Sequence, residues 1–373
     1  MIQEPVKSWM DGGATDAPGR IAPADCAEAN AFYDAPLLNA ALAAFDAETQ
    51  VRVLSVADSG VELARLPVVP SRQHGRYPVA HTINWVHPHC YYGAPLLREG
   101  HEEAGWRGLL ARLDMASWSG DFLHLKLIDA DGPAMTALHA VCAAEGRDLV
   151  ELERYDRALL SSDMSSETYW TENVRSKKRK ELRRQQNRLA ECGEIVRHTL
   201  TDPADLPGWC DAFLTVEAMG WKGEEGTALS SRPADDRFFR QACANAFAAG
   251  GLDMLRIDCD GLPIAMLVNF VGPKGGFSFK IAIDPAFSRY SPGVLVEMDN
   301  LARVLDAKRA PWMDSCAVPG HPMIDSLWAE RRTVAQYRIA LKKRGLAGLR
   351  GRIVRSGITA AEAVGRRMKD KDL

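Results

Sequence analysis

Apolar and polar residues recur along the chain with two periods, one of two residues and one of about three and a half, which predict alternating strands and helices. The first half begins with a helical stretch, followed by a strand hairpin whose turn is Asp58-Ser59-Gly60 and then by further strands and two helices. The second half repeats this order: an antiparallel meander, then helix, strand, helix and strand. Two tandem copies of one α/β fold, each a mixed, mostly antiparallel sheet flanked by helices, are the simplest interpretation, and a single large mixed sheet is the alternative.

The predicted elements also suggest where the domains begin and end. Helices are expected at 31–47, 102–113, 133–144, 165–192, 205–217, 235–249, 292–305 and 323–331. Strands are expected at 51–57, 61–69, 80–85, 122–127, 149–155, 252–258, 262–270, 277–283, 312–318 and 333–340. We therefore expect a disordered N-terminus (1–20), an N-terminal domain (21–160), a C-terminal domain (161–340) that opens with a basic helix (165–192), and a basic tail (341–373).

The turn Ser291-Pro292-Gly293 lies between the predicted strand 277–283 and a helix. Serine is a good N-cap, and proline fits the first helical position because its missing N–H would be unpaired there. The amides from Gly293 to Val294 then point toward the preceding loop, where such helix starts bind phosphates. Gly293 would let a ligand approach the backbone. The segment is a candidate phosphate site, with an ordinary capped helix as the alternative.

The helix that begins at Pro292 has one apolar face, which predicts that it packs against a sheet. Glu297, Asp299 and Arg303 are expected on its opposite, polar face.

Composition limits the class of protein. The chain has 373 residues, of which 46% are hydrophobic and 25% charged, as in soluble globular proteins. No apolar run reaches the roughly 18 residues of a membrane span, and the N-terminus lacks the pattern of a signal peptide. The eight cysteines are scattered, which predicts free thiols in a cytoplasmic protein. The segment His87-Pro88-His89-Cys90 has metal-ligand residue types, but a loop is favoured there and no metal is expected.

Positive charge is concentrated in two blocks, although the formal net charge is −3. Positions 175–197 hold nine Lys and Arg against three Glu, and positions 331–373 hold thirteen against three acidic residues. Such blocks on an acidic body indicate an anionic partner, with solvated segments as the alternative. The basic helix lacks interleaved aromatics beyond Tyr169 and Trp170, so a nucleic-acid partner is disfavoured.

An ordered set of motifs in the second half resembles a known family, the acetyltransferases of cellulose and exopolysaccharide biosynthesis. These proteins belong to the GNAT superfamily and its FemAB-like branch, in which two such folds sit in tandem. The resemblance covers roughly residues 150–340, and the N-terminal half resembles the family in topology only. The motifs are Tyr169-Trp170, Ser176-Lys177-Lys178-Arg179-Lys180, Leu182-Arg183-Arg184, Arg188-Leu189, Gly193, Glu217, Trp221-Lys222-Gly223, Gly226-Thr227-Ala228, Phe279-Lys280, Asp284, Ser288-Arg289-Tyr290-Ser291-Pro292-Gly293, Asp314 and Trp328.

The resemblance implies acyl transfer from acetyl-CoA or another acyl-CoA to an amine, often on a sugar. In the family, the pyrophosphate lies on the loop after the fourth strand and on the next helix start, usually a run with several glycines. The corresponding loop here has one glycine, and Pro292 removes one amide donor. Arg289 is the candidate to replace the lost donor with a side-chain contact to phosphate.

Acyl transfer to an amine needs a base for the amine and an acid for the leaving thiolate. Asp314, in the strand that flanks the acceptor cleft in this fold, is the first candidate base. Glu217 and Asp284 follow, with pairing to Lys222 and capping of a turn as their respective structural alternatives. Tyr290 is the candidate acid, with a packing tyrosine as the alternative.

Four residues are candidates for binding the acceptor. Lys280 stands in an otherwise apolar strand, where it could bind an acidic sugar or phosphate or balance an aspartate. Trp221 and Lys222 lie in a glycine-flanked loop, and the tryptophan is suited to stacking on a sugar ring. His321, between Gly320 and Pro322, could act as a base near neutral pH or be an ordinary loop residue.

The tail interleaves apolar residues with cations, including Arg344, Arg350, Arg352 and Arg355. This pattern suits an anionic membrane surface or a phosphorylated ligand such as cyclic di-GMP. A solvated tail is the alternative.

These features together predict an N-acetyltransferase that acts on an amino group of a bacterial exopolysaccharide or of its lipid-linked sugar precursor. The amine would attack acyl-CoA directly, with help from a general base. The protein is expected in the cytoplasm or peripherally at the inner membrane. The alternatives are a FemAB-like aminoacyl-tRNA-dependent transferase and a non-catalytic, nucleotide-sensing effector with a degenerate GNAT fold.

Overall fold

The computed structural model describes residues 19–343, except for the side chains at positions 47, 48 and 221. The helices are α1 (Ala35–Thr49), α2 (Glu102–Met115), α3 (Pro133–Glu145), α4 (Ser166–Asn173), α5 (Ser176–Ala190), α6 (Leu206–Met219), α7 (Trp221–Glu224), α8 (Pro233–Ala248) and α9 (Pro292–Leu305). The strands are β1 (Arg52–Asp58), β2 (Val61–Ser71), β3 (His81–Asn84), β4 (Leu96–Leu97), β5 (Phe122–Asp129), β6 (Leu149–Leu160), β7 (Ile195–Thr199), β8 (Leu252–Cys259), β9 (Leu262–Gly272), β10 (Gly275–Ile283), β11 (Met313–Asp314) and β12 (Glu330–Ala340). Short 3₁₀ helices lie at Pro23–Asp25, Leu229–Ser231, Pro285–Tyr290 and Ile324–Ser326.

Most predicted elements form within a few residues of their expected bounds, including the β1–β2 hairpin and α9. Two predictions near the C-terminal end are wrong. The strand expected at 312–318 is only β11, because Cys316 takes a left-handed backbone (φ 54°) that leaves the ladder. The helix expected at 323–331 is a single 3₁₀ turn, because Leu327 and Trp328 turn inward to pack in the core and β12 begins at once. The helices within residues 19–343 include none with the length and apolar character of a membrane span.

The basic helix expected at 165–192 is in fact two helices, α4 and α5. Val174 and Arg175 between them have extended backbones (ψ 122° and 135°). Val174 is buried in the cluster that also contains Tyr169 and Leu182. No proline or glycine marks this break, so the burial of Val174 has overridden local helix propensity.

The described chain forms two compact units, one of residues 22–49 and 155–333 and one of residues 19–21, 50–154 and 334–343. The sequence pattern assigns α1 to the N-terminal domain, whereas the structure packs α1 against α8 in the first unit. The rings of Phe45 and Phe238 lie 5.4 Å apart, and Asn245 Nδ2 donates to the carbonyl of Pro36 at 2.9 Å.

In the first unit, the sheet runs in the order β6-β11-β10-β9-β8-β7. The pairs are antiparallel except for β10 and β11. Those two parallel strands pair at Gly276–Met313 and Phe277–Asp314, and no further pair between them occurs among the described residues. The rest of β10, including Lys280, therefore extends beyond its contact with β11 and leads into the start of α9.

In the second unit, the order is β1-β2-β3-β5-β12, with β4 paired to β2. Only β3 and β5 are parallel among these described pairs. Helices α2 and α3 pack together, and the buried Trp106 donates its Nε1–H to the carbonyl of Ala134 at 2.8 Å. Each unit is a mixed, mostly antiparallel sheet with flanking helices, which confirms the predicted fold class.

Candidate active site

The start of α9 is formed by backbone groups rather than by a serine side chain. Ser291 occupies the N-cap position with a left-handed backbone (φ 54°, ψ 47°), and its side chain makes no capping hydrogen bond. Its carbonyl accepts from the amides of Val294 (2.9 Å) and Leu295 (3.2 Å). Side-chain capping needs an extended N-cap backbone, so the predicted serine cap is wrong while Pro292 does stand at the first helical position. The Gly293 amide is then the donor at this helix start without a partner among residues 19–343.

Gly293 is packed against protein and does not open a path for a ligand. A Cβ at this position would lie 3.2 Å from Ile283 Cγ2 and 3.4 Å from both Ile281 Cδ1 and Met323 Sδ. The absent side chain thus allows β10 and Met323 to approach α9. The interpretation of Gly293 as space for a ligand is therefore corrected, since the residue is buried at the start of α9.

A cavity of about 780 Å³ adjoins this helix start. Its volume lies in the range of about 300–1,000 Å³ that ligand sites occupy. The first turn of α5 and the segment around the 3₁₀ turn Ile324–Ser326 form its other walls. Its charged lining residues are Arg175, Lys177, Lys178, Glu181 and Asp325, and Ser291, Leu182 and Trp328 also contribute.

The basic end of α5 is anchored at this cavity. Lys178 is half-buried, and its Nζ donates to Ser326 Oγ across the cavity wall. Burial lowers the pKa of Lys178. Arg175 and Lys177 are exposed, so their charges face solvent and any bound anion. The predicted anion-binding helix thus contributes its first turn to the same cavity as the α9 start.

Asp314, the first candidate base, is enclosed by cations. It has no exposed surface. Its Oδ2 accepts from Arg157 and from Arg332 at 2.7 Å each, and its Oδ1 accepts from the Cys316 amide at 2.8 Å. Burial by itself would raise the pKa of Asp314, but the two guanidinium groups outweigh it and hold the pKa below its ordinary value. This geometry makes Asp314 an ion-pair centre that links β11 to β6 and β12, and it offers no open oxygen to an acceptor amine.

Glu217, the second candidate, is also buried, with 3% of its surface exposed, and its cationic neighbours are lysines rather than arginines. Its Oε1 is 3.1 Å from Lys222 Nζ and 3.6 Å from Lys280 Nζ, and its Oε2 accepts from the Leu229 amide at 2.9 Å. The pairing with Lys222 that the sequence left open is present. Burial and the charge of Lys222 lower the pKa of Lys280, against the opposing effect of Glu217. Among the described carboxylates, Lys280 pairs with Glu217 rather than with either aspartate considered for it.

Asp284 and Tyr290 have structural roles: Asp284 caps a turn, and Tyr290 packs in the core. Asp284 Oδ1 accepts from the Ala286 amide at 2.8 Å and caps the 3₁₀ helix Pro285–Tyr290. Tyr290 is buried with Leu189, and its hydroxyl accepts from the Cys192 thiol at 3.1 Å. This hydrogen bond and burial raise the pKa of Tyr290. Neither residue lines the cavity, because their side chains are directed into the turn and the core.

The remaining candidates lie at the edge of the site or outside the described residues. Arg289 is exposed, with its guanidinium 4.7 Å from the centre of the Tyr290 ring. His321 Nδ1 accepts from the Ile324 amide at 3.4 Å, beside Pro322 on the cavity wall. The Trp221 side chain and the tail arginines at positions 344, 350, 352 and 355 are outside the described residues, so their predicted roles remain predictions.

Glu297 is a buried acid that the sequence pattern placed on the polar face of α9. Only 2% of its surface is exposed. Its Oε2 accepts from Asn300 Nδ2 at 3.1 Å, and Asn300 Oδ1 accepts from Asn269 Nδ2 at 2.9 Å. Burial raises the pKa of Glu297 to about 7 from the usual 4.5. Its spacing from Val294 and Leu301, three and four residues, was the available signal of an inward position.

We expect the Glu297 carboxyl to make stability fall as pH rises. Its pKa is higher in the folded state, so its favourable contribution is complete below pH 4.5 and is lost as pH rises through about 7. At about 1.4 kcal/mol per pH unit, the ionised carboxylate costs about 3 kcal/mol at pH 8. Glu297→Gln should remove most of this loss in urea unfolding at pH 5.5 and 8. Glu191→Gln, at an exposed end of α5, is the control, and an unchanged pH slope in Glu297→Gln would contradict the expectation.

Comparison with known proteins bears on this site. Residues 176–316 match the family model described as an acetyltransferase (GNAT) domain. This range is less than half of the chain and contains the start of α9, Glu217, Lys280 and Asp314. None of the curated proteins compared with the chain matches its sequence.

Solved structures are similar in fold. FemX matches with a TM-score of 0.50 and 9% identity, over 77% of this chain and 87% of its own. A conserved protein of unknown function from Bacteroides thetaiotaomicron has a TM-score of 0.51 and 13% identity, over 85% of this chain and 94% of its own. The C-terminal domain of a protein named as a lysylphosphatidylglycerol synthetase from Agrobacterium fabrum has a TM-score of 0.50 and 14% identity, over 80% and 86%. These likenesses show that the fold of the chain is shared with the three structures, and the acetyltransferase (GNAT) domain model applies to residues 176–316 within it.

Proposed function

We propose that this protein transfers an acyl group, acetyl in the simplest case, from acyl-CoA to an amino group. The observation that carries the proposal is the cavity of about 780 Å³ at the start of α9, with Arg175, Lys177 and Lys178 on its opposite wall. CoA is a long polyanion, and it needs a site of this size that is lined with cations. The first turn of α5 supplies the cations that the glycine-poor loop before α9 lacks.

The acceptor end is proposed at the cluster of Glu217, Lys222 and Lys280. The Lys222 ammonium at 3.1 Å shows that Glu217 Oε1 binds an alkylammonium group. An acceptor that arrives as an ammonium would replace Lys222 there and lose its proton to Glu217. The neutral amine then attacks the thioester carbonyl. Lys280, beside the same oxygen, supplies positive charge for the oxyanion that forms.

The later steps complete the transfer without any further group. The positively charged nitrogen of the tetrahedral intermediate loses its extra proton to solvent, and the C–S bond then breaks to leave the amide. The CoA thiolate leaves and takes up a proton from solvent. The positive charges of Lys222 and Lys280 also suit an acceptor that carries phosphate or carboxylate. This is compatible with the expected acceptor, an amino sugar of an exopolysaccharide or of its lipid-linked precursor.

The test is calorimetric titration of the full chain with acetyl-CoA. We expect binding by the wild type and a loss of about 10- to 100-fold in the double variant Arg175→Glu/Lys177→Glu, since each charged contact contributes about 1–2 kcal/mol. Arg183→Glu is the matched control, because Arg183 is exposed on the same helix and is not part of the cavity lining.

Other outcomes separate the rival functions. Binding of RNA instead of acetyl-CoA would support an aminoacyl-tRNA-dependent transferase. Binding of cyclic di-GMP alone would support the non-catalytic effector. If the double variant bound acetyl-CoA with the same affinity as the wild type, the cavity would not be the CoA site.

A further inference from the structure

Three histidines from separate parts of the second unit meet in space. His74 lies in the loop between β2 and β3, His81 begins β3, and His124 is on β5. One ring nitrogen of each lies within 4.8 Å of the others. The ring centroids are 5.3 Å apart for His74–His81, 5.3 Å for His74–His124 and 6.2 Å for His81–His124. The three side chains therefore converge on one point.

The hydrogen bond of His81 leaves a buried lone pair. Its Nδ1 is 3.0 Å from the carbonyl oxygen of Val79. A carbonyl only accepts, so Nδ1 carries the hydrogen and Nε2 keeps its lone pair. His81 is 1% exposed, and its Nε2 is buried without a hydrogen-bond partner. A buried acceptor atom without a donor costs folding free energy, so this nitrogen needs an explanation such as an ion that binds to it.

The tautomer of His124 is set in a similar way. Its Nε2 lies 3.0 Å from Gln336 Oε1. The amide nitrogen of Gln336 donates to Glu153, which fixes the amide oxygen toward the histidine. Nε2 of His124 therefore carries the hydrogen, and Nδ1 keeps a lone pair. A histidine that binds a metal usually donates its other N–H to a carbonyl or a carboxylate in this manner.

A histidine that binds a metal must offer a nitrogen without a hydrogen, and the hydrogen bonds of His81 and His124 leave one such nitrogen on each ring. Burial lowers the pKa of His81 to about 4 and that of His124 to about 3, and the charge of nearby Lys126 contributes to both shifts. The same lysine disfavours a hard cation held by charge alone. A metal that bonds strongly to neutral imidazole is favoured instead.

We propose that His74, His81 and His124 bind a zinc ion with three imidazole ligands, and that the ion ties the loop between β2 and β3 to β5. Zinc–nitrogen bonds of about 2.0–2.1 Å place tetrahedral ligand atoms about 3.4 Å apart. One ring nitrogen of each histidine lies within 4.8 Å of the others, so a move of about 1 Å would bring them to the ligand spacing of zinc. The fourth position is left to water.

The test is titration of the full chain with zinc chloride after treatment with a chelator. We expect one zinc per chain, tetrahedral visible absorption when cobalt replaces zinc, and a higher melting temperature with zinc than without. His74→Ala and His124→Ala should each weaken binding at least 100-fold and abolish the zinc-dependent rise in melting temperature. His139→Ala is the matched control, since His139 packs on Tyr337 in the same unit and lies outside the cluster.

Two results would overturn the site: a wild-type chain that binds no zinc at micromolar concentration, or variants that retain wild-type affinity. His74 is half-buried, whereas His81 and His124 are buried, so its substitution should disturb the fold least. The far-ultraviolet circular dichroism of His74→Ala checks that the variant is folded. Loss of zinc binding in a folded His74→Ala chain therefore assigns the ion to this cluster. Magnesium chloride is the probe for a cation held by charge alone. It should show no binding and should not raise the melting temperature.

Discussion

Replacing Asp314 with asparagine should lower the free energy of unfolding by about 3–5 kcal/mol, the range for removing one partner of a buried ion pair. The variant would leave the buried guanidinium groups of Arg157 and Arg332 without the carboxylate that holds both at 2.7 Å. Two like charges would then face each other in the interior. Urea unfolding followed by tryptophan fluorescence measures the loss.

A solvent-exposed ion pair provides the matched control for this change. Asp236→Asn removes one of the two carboxylate partners of Arg240 on α8, where both side chains of the pair are partly exposed and Asp211 remains, and should change stability by no more than about 1 kcal/mol. If Asp314→Asn instead kept wild-type stability and lost only acyl transfer, Asp314 would be the base and the structural assignment would be wrong.

Replacing Glu217 with glutamine should lower kcat/KM for acyl transfer by about 10²- to 10⁴-fold, the usual contribution of a general base. The glutamine oxygen can still accept from the Leu229 amide, the 2.9 Å bond of Glu217 Oε2, so the loop before α8 keeps its anchor. The amide nitrogen cannot accept a proton, and it faces Lys222 and Lys280. Release of CoA thiol in the presence of an amino-sugar acceptor measures the rate.

Acetyl-CoA affinity separates this effect from a change in the cofactor site. It should be unchanged in Glu217→Gln, since Glu217 is not part of the cavity lining. Glu224→Gln, an exposed acid on the neighbouring turn α7, should behave as wild type in both assays. A Glu217→Gln chain with full kcat/KM would rule out Glu217 as the base and leave deprotonation to water or to Lys280.

Local patterns were enough to predict much of the fold. The β1–β2 hairpin follows from alternation and a turn at Asp58-Ser59-Gly60, and the bounds of α9 follow from Ser291-Pro292 and helical spacing. Each of these signals acts between residues only a few positions apart, so it can be read without knowing the rest of the structure. The cationic first turn of α5 could also be predicted locally, because its positive charges are on consecutive residues.

Burial and pairing between distant residues could not be predicted from such local patterns. Asp314 was the first candidate base because of its strand, and only the tertiary structure shows that Arg157 and Arg332 converge on it. Val174 breaks a basic helix without any proline or glycine, because the core around Tyr169 and Leu182 decides its position. Glu297 was expected in solvent because acids usually lie there.

The histidine cluster gives the same lesson for metal sites. The sequence contains one compact group of ligand types, His87-Pro88-His89-Cys90, and that group led to an expectation of no metal. His124 is far in the chain from His74 and His81 and is brought to them by the parallel pairing of β3 with β5. The sequence alone determines the order of most elements and the concentration of positive charge at the start of α5. The tertiary structure decides which charged and polar groups are open to a ligand, because desolvation and pairing depend on neighbours that no local pattern specifies.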